Sequence, residues 1–92
     1  MIETAVLDFK LSNTFEEFRT YMNAPKQQSI FAKMGAKTFY IGVSKDDPYR
    51  ATVMFEGSEN VLYDIFMNPE TKPVVEASGH IYDGTVITRW LA

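Results

Sequence analysis

The sequence predicts an α+β fold with the element order β-α-β-β-α-β, and three observations carry that expectation. Residues 2–11 alternate with period two, Ala5, Leu7, Phe9 and Leu11 on one side and Thr4, Val6, Asp8 and Lys10 on the other, as in a strand with one buried face. Thr14-Phe15-Glu16-Glu17 is a capping box, and Phe15, Phe18 and Met22 follow it at helical spacing. Finally, residues 2–44 and 49–91 are segments of equal length with one plan: strand, capped helix, proline interruption, helix ending in glycine, strand. Sequence identity between the two segments is slight.

Each element has a local reason. Pro25 lacks an N–H and disfavours helical backbone at Ala24, so the first helix should break at Asn23–Ala24 and resume with Ile30, Phe31 and Met34 on one face. Gly35 suits the residue just past its end. Residues 37–44 and 49–56 read as two strands joined through the polar turn Lys45-Asp46-Asp47-Pro48, a hairpin signature. Ser58 is placed as the cap of a helix with Val61, Leu62, Ile65 and Phe66 as its apolar stripe. Asn68-Pro69 opens a further short helix, Pro73 falls in its first turn, and Gly79 closes it. Residues 80–84 form a loop with an Asp-Gly turn, and residues 85–91 form the last strand. The expected result is one ferredoxin-like domain over residues 1–92. Right-handed crossovers give it a four-stranded antiparallel sheet in the order 4-1-3-2, with the helices on one face.

Composition excludes much chemistry. The 92 residues (10.5 kDa) contain no cysteine, hence no disulfide, thiolate metal site or cysteine nucleophile. His80 is the single histidine, so no multi-histidine metal site forms within one chain and no metal is expected. Glu16–Glu17 belongs to a helix start and Asp46–Asp47 to a turn, leaving no catalytic carboxylate pair. No glycine-rich phosphate loop, HExxH or GxSxG occurs. The net charge of −3 offers no footprint for nucleic acid or an anionic membrane surface. Neither a secretory leader nor a membrane span is evident, so a cytoplasmic protein is expected. The scattered methionines (Met1, Met22, Met34, Met54, Met67) read as gap-fillers.

The alternation assigns Leu7, Phe9, Phe39, Ile41, Val53, Phe55 and Trp90 to the face under the helices. The other face then carries Val6, Asp8, Tyr40, Arg50, Thr52, Met54, Ile87 and Arg89, with Asp8 between Arg50 and Arg89 as a cross-strand charge pairing. Such a mixed patch is large for so small a domain. A homodimer packed sheet to sheet would cover it, with Asp8, Arg50, Met54 and Arg89 at the interface.

His80 follows a helix end and adjoins Tyr82 and Asp83. It is either a ligand anchor or general base at a pocket mouth, or a capping residue that bonds a free carbonyl. His80, Tyr82, Tyr40, Tyr63, Phe66 and Trp90 could line an apolar pocket; the same rings could equally be ordinary aromatic core.

Gly35-Ala36-Lys37-Thr38-Phe39-Tyr40-Ile41-Gly42-Val43-Ser44-Lys45-Asp46-Asp47-Pro48, with Ser78-Gly79-His80 and Gly84-Thr85-Val86, resembles the dimeric α+β-barrel superfamily. That group includes the antibiotic-biosynthesis-type monooxygenases and the stress-responsive barrel proteins. The nearest likeness is to a small marine and cyanobacterial family with no assigned activity. The resemblance implies a two-fold dimeric α+β barrel. Haem-degrading members use an iron-ligating His with a nearby Asn and Trp. Here His80 lies past the second helical region, Asp8 replaces the amide and Trp90 sits on the last strand, so no cofactor is expected. The reading is a small dimeric α+β-barrel protein that binds a small apolar or aromatic molecule. The alternative is a cofactor-free monooxygenase-like enzyme acting on a phenolic substrate.

Overall fold

Alternation in the first strand becomes alternation in burial. In β1 (Ile2–Lys10) Ala5, Leu7 and Phe9 are buried, while Thr4, Val6 and Asp8 are half-exposed on the other side. A computed structural model describes residues 1–66 and 68–92, so Met67 lies outside the described residues. The remaining elements are α1 (Phe15–Asn23), α2 (Pro25–Lys33), β2 (Ala36–Val43), β3 (Arg50–Ser58), α3 (Val61–Phe66), α4 (Lys72–Glu76) and β4 (Val86–Leu91). A single 3-10 turn, Pro69–Thr71, leads into α4.

The sheet order is β2-β3-β1-β4, every pairing antiparallel, which is the expected 4-1-3-2 order in reverse. Local signals set most boundaries. Thr14 Oγ1 accepts the Glu17 amide at 3.2 Å, while the Glu17 carboxylate meets the Thr14 hydroxyl at 3.0 Å. The helix breaks at Ala24, which is extended (ψ 136°), and Pro25 starts the next. Asn68 caps the 3-10 turn through its side chain. Ser58 departs from expectation: it ends β3, and Asn60, at φ +73°, leads into α3 instead.

The core lies between the sheet and the helices. Phe55 meets Phe31 of α2 and Phe66 of α3 at centroid distances of 5.3 and 4.6 Å, and Phe9 meets Phe18 of α1 edge-on at 5.4 Å. Rings of this size supply much of the buried apolar area in so short a chain.

Two register details redistribute side chains between the faces. A bulge between Thr38 and Tyr40 leaves Phe39 unpaired and half-exposed rather than beneath the helices, and leaves Thr38 Oγ1 without a partner among the described residues. In β4, Ala5 pairs with Arg89 and Thr4 with Trp90. Residues directly opposite each other share a face, so Ile87 and Arg89 belong to the helix side and Trp90 to the open side. The sequence reading had these reversed. The cause is Glu3, which falls on the buried side of β1 at 1% exposure and draws Arg89 to it.

Candidate functional site

β1 positions two polar groups in the helix layer, one near each end. At its start, Glu3 Oε2 accepts from Arg89 Nε at 2.5 Å and Oε1 accepts from the Asn60 amide at 2.8 Å. Arg89 also donates to Asn60 Oδ1 at 2.6 Å and lies over the Tyr63 ring. The Arg89 hydrogen bond holds the Glu3 carboxyl below its ordinary pKa, against the opposing effect of burial. The left-handed backbone of Asn60, a conformation Asn tolerates better than most residues, aims its N–H at the carboxylate. Both carboxylate oxygens are occupied, so this cluster ties β1, α3 and β4 together.

At the other end the chain after α4 returns to β1. Ser12 N–H donates to Gly79 O at 2.8 Å and Ile81 N–H to Lys10 O at 2.9 Å, bridging Leu11 to His80. This short pairing places the imidazole on the Phe9 ring, stacked at 3.7 Å between centroids and 15° between planes. His80 is 6% exposed. Its Nε2 lies 2.7 Å from Thr85 Oγ1, whose hydroxyl donates to Ile81 O at 3.1 Å. With that hydroxyl donating to Ile81 O, Nε2 carries the ring proton and Nδ1 the lone pair; with it turned to Nε2, the roles reverse. No hydrogen bond reaches Nδ1 among the described residues. Desolvation lowers the His80 pKa to about 4, so the ring is neutral at pH 7. The expected cap to a free helical carbonyl does not form; Nε2 bonds a side-chain hydroxyl instead.

His80 is one wall of a cavity of about 300 Å3 between the α1–α2 arm, the α3–α4 arm and the two central strands. Leu7, Phe9, Val53 and Phe55 form its floor, and Phe18, Phe31, Ile65 and Phe66 form its sides. Of the residues expected to line a pocket, His80 and Phe66 do so. Tyr82 is half-buried in the loop beyond, and its N–H donates to Glu76 Oε2. Tyr63 is half-exposed beside Arg89. Tyr40 and Trp90 lie across the sheet from the cavity, Trp90 at 62% exposure. The pattern missed Phe18, Tyr21 and Ile30, which also line it; the helical stripes carried that signal.

The open face is arranged in rows. Tyr40, Met54, Val6 and Thr88 pair across all four strands, flanked by Glu56, Thr4 and Trp90 on one side and Thr52, Asp8 and Val86 on the other. The Tyr40 ring folds over Gly42, where a Cβ would come within 2.6 Å of its hydroxyl. Asp8 pairs with Arg50 at 2.9 Å, so Asp8, Arg50 and Met54 share this face as expected, while Arg89 lies behind it. Asp8 and Arg50 also edge an open depression of about 230 Å3. No group of metal-binding side chains occurs among the described residues, and no helix there is long and apolar enough to cross a membrane.

Sheet order and helix layer together define a ferredoxin-like α+β fold. Three solved structures share it. A variant of SnoaB, a cofactor-independent oxygenase from Streptomyces nogalater, is similar at TM-score 0.64 and 14% identity, covering 99% of this chain and 92% of that one. A NIPSNAP family protein from Agrobacterium tumefaciens is similar at 0.60 and 7%, covering 99% and 92%. A dimeric ferredoxin-like protein from an uncultured marine organism is similar at 0.56 and 11%, covering 99% and 94%. The chain belongs to the family "Domain of unknown function (DUF3764)", which matches residues 2–92. Among curated proteins no relative matches.

Proposed function

We propose that the protein binds a small, largely apolar or aromatic molecule between its helices and sheet. The ligand donates one hydrogen bond to Nδ1 of neutral His80. The observation behind this reading is a largely apolar cavity with a neutral imidazole, His80, in its wall. No hydrogen bond to Nδ1 occurs among the described residues, so a ligand hydroxyl could supply one. The volume sits at the lower end of the ligand-pocket range of roughly 300–1,000 Å3, which suits one or two rings. The test is a fluorescence titration with naphthol. Saturable binding that weakens about tenfold in His80→Phe is expected, as for the loss of one such hydrogen bond. Equal affinity in the two proteins would overturn the reading.

The alternative, cofactor-free oxygenation of a phenolic substrate, is supported by the fold shared with SnoaB. It fits the site less well. A phenol titrates near 10, and an imidazole at about 4 accepts its proton only at a cost of about 8 kcal/mol. Aerobic incubation with naphthol should consume no oxygen beyond the blank. Oxygen uptake lost in His80→Phe would favour the enzyme.

The working unit in this proposal is a homodimer in the cytoplasm, joined through the open sheet face. Half-exposed Tyr40, Val86 and Trp90 around the Asp8–Arg50 pair support it, as does the dimeric protein among the structural neighbours. Light scattering should give twice 10.5 kDa for the native chain and 10.5 kDa for Val6→Arg. A native monomer at micromolar concentration would contradict this assembly.

A further inference from the structure

The stretch of chain that carries His80 is held from the far end of the sequence. Ser12 and Asn13, in the connection from β1 to α1, clasp the turn that follows α4. Ser12 N–H donates to Gly79 O at 2.8 Å, and the Ser12 hydroxyl donates to the same oxygen at 3.3 Å. Asn13 Nδ2 donates to Ser78 O at 3.1 Å.

Asn13 makes the closest fit. Its side chain lies directly against Gly79, where an added Cβ would collide with the Asn13 amide. Gly79 has φ +98°, a left-handed backbone that other residues resist. Asn13 Oδ1 is buried and has no hydrogen-bond partner among the described residues. Turned over, the amide would set that oxygen against the Ser78 carbonyl, so its donor faces the turn. One hydrogen bond is given up at Oδ1 while the contact with the turn is kept.

His80 comes next in the chain. Ile81 N–H donates to Lys10 O at 2.9 Å, so the backbone is fixed just before the imidazole and just after it. The ring is thereby placed on Phe9, in the cavity wall. The α4 helix has five residues, too few to hold a direction by itself.

We propose that Asn13 is a positioning residue for the ligand contact of His80: its amide locks the Ser78–Gly79 turn and so keeps the imidazole in the cavity wall. This rests on the binding function proposed above and adds the residue that sets its geometry. Asn13 does not itself line the cavity, so its effect on a ligand passes through His80.

Naphthol is titrated against the full chain, Asn13→Ala, Asn13→Asp, His80→Phe, and each Asn13 variant combined with His80→Phe. Asn13→Asp keeps the shape of the side chain and replaces the donor with a carboxylate oxygen, which separates the hydrogen bond from packing. Both Asn13 variants should weaken naphthol about fivefold, within the roughly tenfold expected of His80→Phe. Neither should weaken it further in the His80→Phe background. In Asn13→Ala, which adds no charge, the ring 15N resonances should titrate above the native value of about 4, toward 6.5, as the imidazole leaves Phe9 and meets water. Equal affinity in the native chain and both variants, a loss that persists in His80→Phe, or an unmoved ring titration overturns the positioning role and leaves the cavity reading standing. Loss of the urea-unfolding transition in both variants also overturns it, by making Asn13 a residue of the fold rather than of the site. If the native chain does not bind naphthol, both readings fail.

Discussion

The two ends of β1 carry the two titratable groups buried in the helix layer, and they are built differently. Glu3 has a partner on each oxygen, Arg89 on one and the Asn60 amide on the other, and it stays charged. His80 has a partner on one nitrogen only, stacks on Phe9, and stays neutral. A closed network fixes structure; a half-satisfied group beside a cavity leaves room for a ligand. The difference gives the Glu3 end a structural role and makes the His80 end the place of the proposed ligand contact.

The largest expected effect is at the His80 end. Phe9→Ala removes both the Phe18 contact and the surface on which His80 stacks, and should cost about 3–5 kcal/mol in urea unfolding. It should also let water reach the imidazole and move its pKa back toward 6.5.

Next comes a pH effect of the same sign at the two ends, in different pH windows. Folded His80 binds its proton near 4, whereas the unfolded chain binds it near 6.5. Between those values the unfolded state holds more protons, so stability falls as the pH falls, by about 3 kcal/mol in all. The lowered Glu3 pKa adds stability that is present above 4.5 and is lost as the pH drops through its folded value. Denaturation midpoints between pH 6.5 and 4.5 should thus slope in the native protein and be flat in His80→Phe. A slope that survives in His80→Phe would show that another group controls this range.

A smaller effect is expected for Glu3→Gln, about 1–2 kcal/mol, because Arg89 is exposed enough to be rehydrated. Its acid limb below pH 4.5 should flatten while the His80 slope stays. The smallest is Lys26→Gln, within about 0.5 kcal/mol by thermal melting, since Lys26 is exposed and forms no ion pair among the described residues.

Much of the fold was legible because local chemistry and periodicity agreed. Thr14, Pro25 and Asn68 each mark a boundary that the structure keeps. The faces of β2 and β4 were harder. The bulge at Phe39 moves Thr38 to the helix side and takes Phe39 off it, while Tyr40 and Ile41 keep their expected faces, and no residue in Thr38-Phe39-Tyr40 announces it. In β4 both phases are partly apolar, Ile87 and Leu91 against Val86 and Trp90, so alternation could not choose. The deciding residue was Glu3, eighty-six positions away, whose buried carboxylate requires a cation. His80 stood out as the single imidazole, but its environment depends on the long-range bridge to Leu11, which sequence spacing does not reveal. Tyr40 and Trp90 were grouped with it as aromatics, though the sheet separates them from the cavity.

The central claim is that His80 is a neutral acceptor waiting on a ligand donor. With one histidine in the chain, the ring 15N resonances are unambiguous. The ring spectrum of His80, recorded from pH 7 down to pH 4 and again with naphthol, should show the Nε2–H tautomer, no protonation until about pH 4, and a ligand-induced shift at Nδ1 alone. A ring that titrates near 6.5, or one protonated on Nδ1, would contradict it.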